Sequence, residues 1–96
     1  VSLSALIPPN ALALQALLRA VMNDTTGAAL VSFYPGSSGS FHALQMGVNT
    51  TGNSNQDTAN VVMPNISQTI TYAWNSAAAN RAAYIDINGY HVPNGG

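Results

Sequence analysis

The chain has 96 residues and a mass of 9.9 kDa, enough for one domain. Only 5% of its residues are charged: two Arg and three Asp, with no Lys and no Glu, for a formal net charge of −1. Two scattered arginines cannot neutralise a run of phosphates, so a nucleic-acid binder and a polybasic membrane anchor are excluded. The lack of Cys excludes disulfides, thiolate zinc sites and a cysteine nucleophile. No apolar run approaches the roughly 18 residues of a spanning helix. Val1 opens the chain without a Met or a signal-peptide pattern, which is the expectation for a fragment of a longer chain. Fifteen of the hydrophobic residues are Ala, and Asn, Gln, Ser and Thr make up about a third of the chain. A domain this small, without staples or ion pairs, gains most from burial against copies of itself, so a homo-oligomer is expected.

In chain order, the first element is the most ambiguous. From Ala11 to Met22 the chain reads ALALQALLRAVM, rich in helix formers. Asn10 after Pro8-Pro9 offers an N-cap, and Leu14, Leu17, Leu18 and Val21 fall on a helical stripe. Yet Leu12, Leu14, Ala16, Leu18, Ala20 and Met22 also alternate with a set that holds Gln15 and Arg19, the period of a half-buried strand. Helix stays open, and strand is the reading adopted. Residues 23–27 form a turn cluster, followed by a strand over 28–34 that ends in Pro35-Gly36, suited to a type II turn. A loop over 37–40 leads to a strand over 41–48. Residues 49–57 (NTTGNSNQD) read as a surface loop, and strands are expected over 59–63, 68–74 and 82–87. Asn88-Gly89 between apolar stretches predicts a hairpin turn. Six or seven short strands predict a mainly β fold, a compact antiparallel β-sandwich of jelly-roll type, with one domain over 1–93 and a tail over 94–96.

The chemistry on offer is sparse. Gly36-Ser37-Ser38-Gly39-Ser40 fails the spacing of a nucleophile elbow, and no strand-turn-helix pattern surrounds it. His42 and His91 are the only imidazoles, and Asp24, Asp57 and Asp86 the only carboxylates, so neither a triad nor a glycosidase pair is expected. No His spacing matches zinc. Asn53, Asn55 and Asp57 alternate like the start of a calcium loop but lack its Gly and distal Glu. The expectation is therefore no catalytic residues, no metal and no cofactor. Sequons at Asn23, Asn49 and Asn65 are about as many as chance provides in so Asn-rich a chain. What remains is recognition: rings beside amides and hydroxyls suit a neutral saccharide, whose CH faces stack while its hydroxyls pair. The candidate contact residues are Tyr34, Phe41 and His42 around the serine-rich turn, Asn49, Asn53 and Asn55 in the polar loop, and Trp74.

Four segments carry a resemblance: SALIPPNA (4–11), TANVVMP (58–64), QTITYAW (68–74) and the closing YIDINGYHV (84–92). Their order is similar to that of the β-sandwich heads at the tips of bacteriophage tail fibres and related attachment proteins. The resemblance implies a virion-borne, receptor-binding head. It would be a homotrimer and bind a host-surface glycan or outer-membrane protein, with no nucleic acid and no membrane insertion. It spans most of the chain but carries no catalytic or binding motif, so no residue role transfers from it. A carbohydrate-binding module of a secreted bacterial protein and a purely structural capsid or tail-needle cap are the alternatives.

Overall fold

A computed structural model describes residues 1–23, 27–37, 41–47, 55–75 and 80–93. Within them the chain is all β, with six strands: β1 (Ala13–Met22), β2 (Ala29–Pro35), β3 (His42–Met46), β4 (Asn55–Pro64), β5 (Ile70–Trp74) and β6 (Arg81–His91). They form two three-stranded antiparallel sheets, ordered β4-β1-β6 and β3-β2-β5.

The ambiguous first segment is the central strand of the longer sheet. Leu14, Leu18 and Met22 are fully buried, with Ala16 and Ala20 between them on the same face. Ala29, Val31 and Phe33 from β2 and Leu44 and Met46 from β3 of the second sheet complete one core. Helix propensity loses because a strand hydrogen-bonded on both sides buries every second residue. A helix would also put Leu14, Leu18 and Met22 on one face, but it would give up the ladders to β4 and β6 and would turn Ala16 and Ala20 away from them.

The sheets are unequal, with strands of 10 or 11 residues at β1, β4 and β6 against 5 to 7 in the other sheet. The uncovered end of the longer sheet is closed by the N-terminal segment, where Leu3, Ile7 and Ala11 are buried. This segment is pinned by polar side chains from the turn before β5. Gln68 Nε2 donates to Ile7 O (2.6 Å), and Asn65 Nδ2 donates to Ala11 O (2.9 Å). Residues 1–3 lie along the start of β5, where the Val1 nitrogen donates to Ile70 O, the Ile70 N–H to Val1 O and the Leu3 N–H to Gln68 O. With its amide donating to Ala11 O and its oxygen accepting from the Gln68 N–H, Asn65 is a structural residue rather than a free sequon.

Two local expectations are corrected. Residues 55–57, read as loop, are the start of β4, where Asn55 and Asp57 sit opposite Met22 and Ala20. Asn88-Gly89 is not a hairpin. β6 runs straight through it, because residues on both sides pair with the same strand, Ile87 with Ala16 and Gly89 with Gln15. Asn88 is the extra residue of a β-bulge. Pro35-Gly36 does turn as expected, with Gly36 at φ +74°.

Candidate functional site

The residues singled out from the sequence do not form one surface. Tyr34 is half-buried on the outer face of the β3-β2-β5 sheet, and the exposed Phe41 stands just before β3, its N–H donating to Phe33 O (3.1 Å). His42 is next to it in sequence but on the inner face, opposite Phe33. These three share one end of the β2–β3 pair. Trp74 is at the far end of β5, half-buried against the core, with the Arg81 guanidinium 5.9 Å from its ring centroid. That position does not suit an exposed sugar platform. Asn55 is on β4, its amide 3.4 Å from Gly47 O, while Asn49, Asn53 and Asp24 lie outside the described residues.

Asp57 has a structural task. One carboxylate oxygen accepts from the Gln45 N–H (2.9 Å) and the other from the Thr58 N–H (3.0 Å), which ties β3 to β4 and closes that side of the sandwich. Asp86 lies on the opposite face of the long sheet, and His91 is held by Gln15, so the titratable groups point to separate places. Among the described residues no three His, Asp or Glu side chains come together as a metal would require.

A different surface combines geometry and chemistry, the outer face of β4-β1-β6. Across it, β1 contributes Gln15, Leu17 and Arg19. Register places Val62, Asn60 and Thr58 of β4 beside them on one side, and Gly89, Asp86 and Tyr84 of β6 on the other. Each position follows from strand alternation, since the neighbours in sequence are the ones committed to the core. The Arg19 guanidinium rests 4.3 Å from the Tyr84 ring centroid, a cation–π contact that fixes both side chains.

At the bulge the face opens into a shallow depression of about 360 Å³, lined by Gln15, Asn60, Val62 and Asn88 with the chain of Ala16 and Val61 beneath. Gln15 is drawn away from β4. It lies over Gly89, where a Cβ would come within 3.1 Å of its Oε1, and its Nε2 meets His91 Nε2 at 3.0 Å. Gly89 thus serves side-chain clearance rather than a turn, and the bulge adds the Asn88 amide to the rim. Three amides provide both donors and acceptors, Val62 provides an apolar wall, and no ionised side chain lines the depression. Such a lining can pair with hydroxyls of an uncharged ligand and holds no countercharge for an anion or cation.

No family model, curated protein or solved structure matches the chain.

Proposed function

We propose that this domain is the recognition head of an attachment protein of the tail-fibre or spike type, and that it binds a neutral saccharide of the host surface. The observation that carries the reading is the amide-lined depression on the outer face of β4-β1-β6, with Gln15, Asn60 and Asn88 around Val62 and no charge in the lining. The face is built on a sheet rather than on loops, so the backbone that carries its amides is fixed before the ligand arrives, which reduces the ordering cost of binding. The resemblance of its four sequence segments to phage fibre heads supports the same reading and implies the virion tip as the place of action. No catalytic step is assigned to the domain.

Exposed Asn60 and Asn88 make the test clean, because neither contributes to the core. The Asn60→Ala/Asn88→Ala double variant is expected to adsorb to host cells or their purified surface polysaccharide about ten- to a hundredfold more weakly, with its melting temperature within a few degrees of wild type. The Tyr34→Ala/Phe41→Ala variant is expected to bind as wild type does. The reverse pattern, with adsorption lost at Tyr34 and Phe41 and retained without the two asparagines, would move the site to the end of the other sheet.

A further inference from the structure

We infer that the outer edge of β6 docks a second copy of this chain, by antiparallel pairing of β6 with itself about Ile85. The sheets have four edges. β3 and β4 are tied to each other through Asp57, and the start of β5 is covered by residues 1–3. No described residue pairs with the outer edge of β6. That edge is 11 residues long, holds no Pro and no Lys, and has only Arg81 and Asp86 as charges. The bulge at Asn88 blunts its far end, and the regular part before it carries none of the Pro or Lys residues that normally block strand addition. The outward backbone groups of residues 83–87 suit an extended strand, and the side-chain order specifies which one.

A two-fold axis normal to the sheet makes the strands antiparallel, keeps the two inner faces on one side and sets one residue opposite itself. The centres at Tyr84, Ile85 and Asp86 differ in what they set opposite Asp86. Centring on Asp86 sets that carboxylate against its own copy, a like-charge pair, and carries the ladder into the bulge at Asn88. Centring on Tyr84 sets Asp86 opposite the partner's Ala82, which offers it nothing. Centring on Ile85 uses residues 83–87, all within the stretch where β6 pairs regularly with β1. Tyr84 then faces the partner's Asp86, phenol O–H to carboxylate, and the same contact recurs across the axis. Arg19, held at 4.3 Å over the Tyr84 ring, supplies the cation beside the partner's Asp86. On the inner side, half-buried Ala83, Ile85 and Ile87 meet the partner's Ile87, Ile85 and Ala83, so the register is apolar within and charge-complementary without. The joined sheet runs β4-β1-β6-β6-β1-β4 and is two-fold, where the resemblance implies three copies. The pairing stands independently of the saccharide reading.

Light scattering behind a sizing column tests this at about 100 μM protein, a concentration that populates interfaces at the small end of the specific range. The expected mass is twice 9.9 kDa. Asp86→Arg is expected to run as monomer, since it faces Arg19 of the partner subunit, and the Arg19→Asp/Asp86→Arg swap is expected to restore the dimer. This rescue separates a lost contact from a misfolded strand. The register is read by cross-linking in a chain that has no native Cys. Ile85→Cys should oxidise to a disulfide dimer, and Tyr84→Cys should not, because it faces the partner's Asp86. A wild-type mass of one or three times 9.9 kDa, an Asp86→Arg variant that stays dimeric, or equal cross-linking at 84 and 85 would overturn the assignment.

Discussion

Phe33→Ala is expected to cost about 3–5 kcal/mol and to lower the melting temperature by roughly 15–30 °C. Phe33 is the largest fully buried side chain, placed on β2, the central strand of the shorter sheet, in the core shared with Leu14, Leu18 and Met22 of β1. Hydrogen bonding within both sheets limits how far the walls can close on the gap, so much of the cavity persists and adds to the lost transfer energy. Its ring also meets Tyr72 on β5 at a centroid distance of 6.3 Å and a tilt of 40°, a contact that orders the edge strand. A domain of this size holds only about 5–15 kcal/mol in total, so the variant sits near the limit of folding. Phe33→Leu, which keeps most of the volume, is expected to lose less than about 1.5 kcal/mol. Urea unfolding at one fixed protein concentration checks both, and similar losses for the two variants would contradict the packing described above.

The second large effect is expected at Gly36. Its φ of +74° lies where L side chains are strained, and a Cβ there would come within 2.9 Å of the Ile66 side chain. The backbone cannot shift to relieve this. The Gly36 N–H donates to Thr69 O (2.8 Å), and Gly36 O accepts from the Thr71 hydroxyl (2.6 Å), so the turn is fastened to β5 on both sides. Gly36→Val combines a β-branched residue at positive φ with the contact at Ile66, and a loss of about 3 kcal/mol or more is expected from thermal unfolding. Gly27, with nothing within 4 Å of its Cβ position, is the contrasting site, where the alanine variant meets no such contact. Equal stability of the Gly36→Val variant and wild type would show that the turn is free to rearrange.

The strands after residue 27 were legible from alternation and turn signals, whereas residues 11–22 fit both periods and the resemblance favoured strand there. Leu14, Leu18 and Met22 share a face as a strand, and that face is the core. The Pro35-Gly36 turn was legible from local steric preference alone. The Asn88-Gly89 signal misled for the opposite reason. The pair is compatible with a tight turn, but whether the chain turns or bulges depends on which strand lies alongside, and residues 76 positions apart settle it, Gln15 and His91. Asn55 and Asp57 looked like loop residues because polar alternation carries no hydrophobic marker, yet their strand is set by pairing with β1. The proposed recognition face is hidden in the sequence for the same reason. Gln15 and Asn60 were visible only as the polar half of two alternating strands, and nothing local says that β1 and β4 are neighbours in register. Aromatic residues drew attention instead, and Trp74 and His42 turned out to face inward.

The most direct test of the central claim is a heteronuclear NMR titration with neutral hexose and N-acetylhexosamine oligosaccharides, following the side-chain amides. The depression predicts that the Gln15, Asn60 and Asn88 NH₂ signals move together and saturate, while the backbone signals of Tyr34 and Phe41 stay in place. Shifts confined to Tyr34, Phe41 and Trp74, or amide signals that remain fixed across the whole series, would contradict it.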